Sequence, residues 1–562
     1  MPQDNFRFSA ILVEVLTHLG VQHACVTPGS RNSPLSLALA ESGVTDWSHH
    51  DERSSAFFAL GIAKATGCPV VIVTTSGTAA TELHPAIAEA FNARVPLIAI
   101  TADRPLTLRN VGAPQAIDQH ELFGPSVKTS IDMDPPTEAG DVIRLATMLW
   151  KESVSPPAGP VHLNIRFDEP LMPEAPFAPL DTQVPGVDIP RFDPDPAEVA
   201  EAASDVDGRR GIVIAGPDDS PWVTRSAAAF AAAAGWPILA DPLSGMRAGP
   251  HDVSHLVGTS DALGWAGYLD TAAPEAVVRF GAIPTSKPVW QWLGIHRRIP
   301  QVFIEPFGLR DPTASASRIL RSEVAPTLDL LAEALGRPAP PSWMERWREA
   351  DAVASAALRA VVDAAPFPNE PAIARTVVEA MPSGSTLWVA SSMPIRDLDA
   401  VMKPTGRSVH VMANRGANGI DGFLSSALGS CASTGTHTVA LAGDLSVIHD
   451  IGALATARRL HIPLAIVAVN NDGGGIFHLL PQEGHPLFER HWGTPHGLNL
   501  SEVAGGFGVA AERVRDSGHL ADLIATRPNG PLLLELITDR GDNARLHREI
   551  RSAVAAVLSG LS

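Results

Sequence analysis

Residues 438–477, TVALAGDLSVIHDIGALATARRLHIPLAIVAVNNDGGGIF, contain the pattern that decides the fold. Two short aliphatic runs, at 439–442 and 464–469, are typical of strands buried in a parallel sheet. The segment between them is expected to form one helix. A right-handed crossover of this kind brings the carboxyl ends of both strands to the same edge of the sheet. Asp444 and Asn471 follow those ends directly, so we expect them to lie side by side where open α/β sheets bind ligands.

The predicted edge offers oxygen ligands of the kind that magnesium prefers. Asp444 supplies a carboxylate, Asn471 an amide oxygen, and the glycine run lets the carbonyl of Gly473 turn inward. Such a half-shell suits Mg2+, or Mn2+, with the remaining positions left to water and phosphate oxygens. The alternative is a strand end followed by an asparagine-rich turn. Because two loops at crossover distance carry the pattern, we interpret it as a metal-diphosphate anchor.

Length, composition and charge exclude several classes of protein. A chain of 562 residues is too long for one core, and 45% apolar with 18% charged residues is typical of globular proteins. The net charge of −19 argues against nucleic acid or an anionic membrane as the main partner. The three cysteines, Cys25, Cys68 and Cys431, lack metal spacing. No signal-like start and no apolar run of about 20 residues is present, so we predict a cytoplasmic protein without a membrane span.

The pattern of the opening stretch occurs a second time near the start of the chain. Residues 70–101 also contain a strand, a glycine turn, an alanine-rich helix, an aliphatic residue before proline, and a second strand. The spacing from Gly77 to Pro96 equals the spacing from Asp444 to Pro463. We infer that the first and last thirds share one doubly wound fold.

The domain organisation follows from this repeat and from two proline-rich segments. Those segments, at 172–190 and 336–341, have little periodicity and are interpreted as linkers. The predicted class is therefore α/β, with three doubly wound parallel-sheet domains. Their predicted bounds are 1–185, 186–340 and 341–562.

The two loops of the opening stretch resemble the binding motif for thiamine diphosphate (ThDP). The motif runs from Gly443-Asp444 to Asn470-Asn471, and Leu445 replaces the second glycine of the usual Gly-Asp-Gly. The resemblance implies that Asp444, Asn471 and Gly473 hold the metal of the cofactor. It also implies that the first domain of one subunit faces the third domain of another, in a homodimer or homotetramer with active sites at the interface.

Glu52 is the candidate for the catalytic glutamate of a ThDP enzyme. It begins a predicted helix directly after a strand of the first domain, as that glutamate does in the group it resembles. There, a dry carboxyl group hydrogen-bonded to the pyrimidine ring drives the tautomer that removes the thiazolium proton. The alternative is a solvated carboxylate at a helix start, beside Arg53.

Six motifs together resemble one family, the 2-succinyl-5-enolpyruvyl-6-hydroxy-3-cyclohexene-1-carboxylate (SEPHCHC) synthases of menaquinone biosynthesis. They are TPGSRNSP at 27–34, HDERS at 50–54, TADRP at 101–105, GAPQAI at 112–117, NRGA at 414–417 and NNDGGGIF at 470–477. Pro114 stands where some relatives carry asparagine. The resemblance implies a transferase that decarboxylates 2-oxoglutarate and adds the resulting succinyl carbanion to isochorismate by conjugate addition.

The resemblance also implies a set of site residues. Besides Glu52, those at the cofactor are Ser391, Ser392, Ile420, Gly443, Asp444, Leu445, Ser446, Asn471, Gly473 and Ile476. Those at the substrates are Ser30, Arg31, Arg104, Gln115, Lys287, Ser392, Arg396, Arg415, Phe477 and Leu480. Both substrates are dianions, and arginine suits carboxylates because it can bind them through two hydrogen bonds.

Two other functions stay open at this stage. An acetolactate synthase-like carboligase or a 2-oxoacid decarboxylase would share the ThDP motif, but such enzymes act on smaller and less charged substrates. A non-catalytic protein that keeps the fold for binding is the other alternative. The intact Asp444, Asn471 and Glu52 argue against it.

Overall fold

Three six-stranded sheets follow one another along the chain, and the strands within each sheet pair in parallel. The computed structural model describes residues 2–173, 183–218 and 223–561, so part of the predicted linker at 172–190 lies outside the described residues. The predicted class, three α/β units with parallel sheets, is confirmed. No described helix is both long and apolar enough to cross a membrane. The domain bounds remain our proposal.

The first sheet has the strand order β2-β1-β3-β4-β6-β5. Its strands are β1 (His23–Val26), β2 (Thr45–Ser48), β3 (Val70–Thr74), β4 (Leu97–Asp103), β5 (Ser130–Met133) and β6 (Val161–Arg166). The helices of this part are α1 (Pro2–His18), α2 (Ser33–Ala40), α3 (Glu52–Thr66), α4 (Thr78–Thr81), α5 (His84–Ala93) and α6 (Ala139–Val154).

The middle sheet has a different order, β12-β11-β10-β7-β8-β9. Its strands are β7 (Gly211–Ala215), β8 (Ile238–Ala240), β9 (Leu256–Val257), β10 (Ala276–Phe280), β11 (Gln301–Ile304) and β12 (Arg318–Leu320). Its helices are α7 (Pro196–Val206), α8 (Val223–Ala234), α9 (Ser260–Trp265), α10 (Tyr268–Ala272), α11 (Lys287–Ile295) and α12 (Val324–Ala334).

The third sheet, β14-β13-β15-β16-β18-β17, repeats the order of the first when its strands are counted from its own start. Its strands are β13 (Ser385–Val389), β14 (Val409–Met412), β15 (Thr438–Gly443), β16 (Leu464–Asn470), β17 (Ala510–Arg513) and β18 (Leu532–Ile537). Its helices are α13 (Pro341–Ala364), α14 (Glu370–Ala380), α15 (Met393–Val401), α16 (Phe423–Thr434), α17 (Asp444–His449), α18 (Ala453–Leu460), α19 (Leu500–Gly506), α20 (Ser517–Ala525) and α21 (Arg540–Leu558).

The prediction of one helix between β15 and β16 was wrong. The structure has two, α17 and α18, separated at Asp450. The Asp450 side chain is buried and accepts hydrogen bonds from the backbone and hydroxyl of Ser425, at 2.7 and 3.1 Å. Burial raises the pKa of Asp450 to about 6. The break between the two helices therefore coincides with a buried contact between Asp450 and the start of α16, and Gly452 lies directly before α18.

The third sheet packs on both faces. Along β15, Val439 and Leu441 belong to a core shared with the middle part of the chain, whereas Ala440 and Ala442 belong to a core shared with the first part. This alternation follows from the two-residue period of a strand. Both faces of the sheet are therefore covered at its centre, which is why strands β15 and β16 are almost entirely aliphatic.

Helices α3 and α16 join the first and third parts at very short range. A Cβ atom added to Gly61 would lie 1.9 Å from the carbonyl oxygen of Ser426, and one added to Gly429 would lie 2.0 Å from that of Phe58. Only glycine permits such an approach between two helix backbones. The first and third parts of one chain are thus packed as one body around these helices.

We expect the substitution Gly61→Ala to force α3 and α16 apart. Overpacking of a close contact should cost about 2 kcal/mol in the free energy of unfolding and lower the melting temperature in calorimetry. Gly505→Ala is the matched control, because Gly505 also lies in a helix and a Cβ atom there meets nothing within 4 Å. Equal melting temperatures for Gly61→Ala and the wild type would contradict the close packing.

Candidate functional site

A cavity of about 530 Å3 opens at the carboxyl edge of the third sheet. The ends of β13, β15 and β16 and the start of α15 form its walls. Fourteen residues predicted for the site line it: Ser391, Ser392, Arg396, Arg415, Ile420, Gly443, Asp444, Leu445, Ser446, Asn471, Gly473, Ile476, Phe477 and Leu480. The roles assigned to these residues stay predictions.

Asp444 joins the two loops that the sequence predicted to be neighbours. Strands β15 and β16 pair directly, with Gly443 opposite Val469. One carboxylate oxygen of Asp444, Oδ2, accepts hydrogen bonds from the backbone N–H groups of Asn471 and Gly473, at 3.1 and 2.9 Å. The side chain is only 2% exposed. The carboxylate therefore fixes the loop after β16 against the end of β15.

The amide of Asn471 is oriented by a buried carboxylate. Its Nδ2 donates a hydrogen bond to Oε1 of Glu370 at 2.8 Å, while its Oδ1 is buried without a hydrogen-bond partner. Glu370 also accepts from Asn543 at 2.7 Å. Burial, with the nearby charge of Asp397 as the second cause, raises the pKa of Glu370 to about 8. An unpartnered buried oxygen is costly, so the Asn471 amide fits a cation.

The loop after Asn471 requires glycine. Gly473 has φ near +131°, and a Cβ atom there would lie 1.9 Å from the carbonyl oxygen of Gly493. The next residue, Gly474, donates its backbone N–H to that same carbonyl at 2.8 Å. The backbone of this loop therefore lies against the segment around Gly493, in a conformation that other residues rarely adopt.

The donor set fits a hard divalent cation. Asp444 offers a carboxylate and Asn471 an amide oxygen without a partner, and the glycine loop brings the backbone of Gly473 to the same place. In the described ranges, no group of three or more His, Cys, Asp or Glu side chains could hold a metal. These oxygens suit magnesium better than metals that prefer nitrogen or sulfur ligands.

Two arginines that line the cavity, Arg396 and Arg415, are candidates for binding an anion. Arg396 donates from Nη1 to the carbonyl oxygen of Ser392 at 2.5 Å, and Arg415 donates from Nη1 to Oγ of Ser391 at 3.3 Å. Among the residues that the structure describes, neither guanidinium forms an ion pair with a carboxylate. Burial lowers the pKa of both side chains, although arginine stays charged. Each guanidinium is half-buried and, within the described residues, forms no direct ion pair, an arrangement that favours an anionic ligand.

The other predicted residues do not line this cavity. Glu52 is the first residue of α3, after Asp51, whose side chain accepts the Ser54 backbone N–H at 2.8 Å. Lys287 is exposed at the start of α11. The remaining four, Ser30, Arg31, Arg104 and Gln115, lie in loops of the first part of the chain.

The loops of the first part hold these four side chains differently. Ser30 and Gln115 are exposed, although Nε2 of Gln115 donates to the carbonyl oxygen of Ser76 at 3.1 Å. Arg31 is buried and donates to the carbonyl oxygen of Phe167 at 3.0 Å. Arg104, half-buried, directly follows β4. One chain therefore carries two sets of predicted site residues. The first set lines the cavity. The second set, which does not line it, consists of Glu52, Lys287 and these four residues.

The structure adds side chains that the motifs did not indicate. Glu370 and Asp397 line the cavity, and Nε2 of His496 lies 3.2 Å from Oδ2 of Asp444. Nε2 of His547 lies 2.6 Å from Oδ1 of Asp397, whose pKa is raised by burial. Glu370, His496 and His547 come from elements distant in sequence from the motifs, whereas Asp397 directly follows the predicted Arg396.

Comparison with known proteins agrees with this geometry. Residues 6–122 match the family described as thiamine pyrophosphate enzyme, N-terminal TPP binding domain, and residues 385–536 match the corresponding C-terminal TPP binding domain. A SEPHCHC synthase from Geobacillus kaustophilus is 39% identical over 98% of this chain and 97% of the relative. Those from Rubrobacter xylanophilus and Chloroflexus aurantiacus are 40% identical over 99% and 98% of this chain, and 99% and 96% of the relatives.

The chain belongs to the SEPHCHC synthase family. The family resemblance inferred from the six motifs is thereby confirmed. Glu52 falls within the N-terminal TPP binding domain of this family member, and Asp444, Asn471 and Gly473 fall within the C-terminal one. The cavity described above is therefore the candidate ThDP site.

We expect Gly473→Ala to weaken ThDP binding in this family member by about tenfold or more, because strained backbone and a clash both oppose the loop conformation. A calorimetric titration with ThDP in the presence of Mg2+ measures the change. Gly452→Ala is the control, since Gly452 has φ near −59° and a Cβ atom there meets nothing within 4 Å. Unchanged affinity in Gly473→Ala would show that the loop does not carry the cofactor.

Proposed function

We propose that this chain catalyses the ThDP- and Mg2+-dependent decarboxylation of 2-oxoglutarate and the conjugate addition of the four-carbon product to isochorismate, in menaquinone biosynthesis. The observation that carries the proposal is the cavity in which an oxygen donor set converges with two arginines that form no ion pair with any described carboxylate. Family membership supports the choice of reaction. We further propose a cytoplasmic homodimer or homotetramer.

The cavity would hold the cofactor by its diphosphate. Asp444, Asn471 and Gly473 would bind Mg2+ or Mn2+, and the cation would neutralise the diphosphate charge. Other cavity residues would contact the cofactor itself: Ser391, Ser392, Ile420, Gly443, Leu445, Ser446 and Ile476. When bound, ThDP supplies a nucleophilic carbon that attacks a ketone and stabilises negative charge after decarboxylation.

The basic side chains would recognise the carboxylates of both substrates. Arg396 and Arg415 line the cavity and pair with no carboxylate in the part of the chain that the structure describes, and Ser392 offers a neutral donor beside them. Phe477 and Leu480 would provide apolar walls. The second set would complete the site from another copy of the chain: Ser30, Arg31, Arg104, Gln115 and Lys287.

Glu52 would share a proton with the pyrimidine ring of the cofactor. Its position at the start of α3 places the carboxylate at the carboxyl edge of the first sheet, the edge that also presents Arg31 and Arg104. As it does not line the cavity of its own chain, this role requires a second copy. Such a carboxyl group must share a proton with the pyrimidine ring at neutral pH.

One assay tests the proposed reaction. The protein is incubated with ThDP, Mg2+, 2-oxoglutarate and isochorismate, and the loss of both substrates and the release of carbon dioxide are followed. We expect both substrates to disappear in equal amounts. Release of carbon dioxide from pyruvate, with none from 2-oxoglutarate, would instead indicate an acetolactate synthase-like enzyme. The absence of any ThDP binding would indicate a non-catalytic protein.

We expect Asp444→Ala to abolish the Mg2+-dependent binding of ThDP, because it removes both the carboxylate ligand and the acceptor that fixes Asn471 and Gly473. Titrating ThDP at several Mg2+ concentrations checks this. Asp522→Ala, at an exposed position of α20, removes the same charge elsewhere in the third part and should leave the affinity unchanged. Equal ThDP affinity in Asp444→Ala and the wild type would refute the metal assignment.

We expect Glu52→Gln to lower turnover by about 100-fold or more while ThDP binding stays detectable, because the amide cannot share a proton with the ring. Steady-state kinetics and a ThDP titration measure the two quantities. Glu41→Gln, at an exposed site in the first part, controls for the loss of one charge. Near-normal turnover in Glu52→Gln would remove this residue from the mechanism.

A further inference from the structure

The loop that carries Arg415 is held by helices from the other end of the chain. Nζ of Lys64, on α3, lies 2.7 Å from the carbonyl oxygen of Ala413. The carboxylate of Glu89, on α5, accepts the backbone N–H groups of Gly416 and Ala417, at 2.7 and 2.5 Å. Two helices of the first part therefore contact the backbone on both sides of Arg415.

The contacts of Glu89 restrict the conformation of the loop that carries Arg415. The side chain is 3% exposed, and its two oxygens each accept one backbone N–H. A backbone N–H can only donate, so both oxygens are needed as acceptors. The loop also lies directly against α5, because a Cβ atom on Gly416 would be 2.5 Å from the carbonyl oxygen of Glu89 and 2.7 Å from the backbone nitrogen of Ala93.

The side chain of Arg415 lies next to these backbone contacts. The side chain leaves the backbone between the two held positions and enters the cavity, where it donates to Oγ of Ser391. That serine Oγ in turn lies 3.4 Å from the carbonyl oxygen of Asn414, its acceptor in the same loop. Burial lowers the pKa of Arg415, and the negative charge of Glu89 is among those that oppose this effect.

We propose that Glu89 is a positioning residue that sets the direction of Arg415 for binding a substrate carboxylate. It acts through the backbone of residues 416 and 417 and does not itself line the cavity. The inference rests on the proposed function only in that Arg415 binds an anion. It assigns to the first part of the chain a role in the substrate site of the same chain, separate from the role proposed for Glu52.

The substitution Glu89→Gln tests this role with little change in size. The amide keeps one acceptor but turns an N–H group toward a backbone N–H, so one hydrogen bond is lost and two donors face each other. We measure the affinity of the ThDP- and Mg2+-loaded protein for succinate, an unreactive dicarboxylate, by calorimetry. The dissociation constant should rise about tenfold, as expected for the loss of a hydrogen bond to a charged group.

A double-mutant cycle with Arg415→Ala separates an effect of Glu89 on the position of Arg415 from a general loss of stability. Arg415→Ala alone should weaken succinate binding, and adding Glu89→Gln should cause no further loss, because the residue it positions is gone. The ThDP affinity of Glu89→Gln should stay close to that of the wild type, while its melting temperature should fall by only a few degrees. In the activity assay of Glu89→Gln, KM for the substrate whose carboxylate Arg415 binds should rise about tenfold. The value of kcat should change less than about threefold. Glu41→Gln is the charge-matched control.

Several outcomes overturn the inference. Unchanged succinate affinity in Glu89→Gln or in Arg415→Ala would do so, as would additive losses in the double variant. A parallel fall of ThDP affinity and melting temperature would show a merely structural role. If the wild type binds succinate through Arg415 but does not consume isochorismate, the proposed function fails while the inference about Glu89 stands.

Discussion

The hydrogen bonds from the loop after β16 to the Asp444 carboxylate are the interaction on which the site depends. They tie the ends of two adjacent parallel strands together at the carboxyl edge of the sheet. Because the carboxylate is buried, it needs these donors, and the loop needs the carboxylate to satisfy its backbone. The oxygen donor set and the glycine loop are both consequences of this one constraint.

The second feature of the architecture is the close packing of α3 on α16, which makes the first and third parts of a chain one body. The two helix backbones approach closely at Gly61 and Gly429, where a Cβ atom would clash with the facing helix. The same helix α3 begins with Glu52 and carries Lys64 near its end. It therefore connects the edge proposed to serve one active site with the loop that lines another.

Much of the candidate site could be predicted, because its residues lie at strand ends. Asp444 and Asn471 were assigned from two aliphatic runs and a crossover, and the structure places them together. Glu370, His496 and Glu89 could not be predicted in this way, since each reaches its partner through packing between distant elements. The break between α17 and α18 was missed for the same reason, as the buried Asp450 turns to the start of α16.

The sequence by itself determined the α/β class, the repeated order of the first and third parts, and the residue types at the sheet edge. It could do so because periodicity, glycine and crossover geometry act over short stretches of chain. Only the tertiary structure decided which way the Asn471 amide points, which groups Arg396 and Arg415 donate to, and that Glu89 accepts hydrogen bonds from the loop of Arg415. These features depend on side-chain contacts between elements that are distant in sequence, and a local sequence pattern does not predict such contacts.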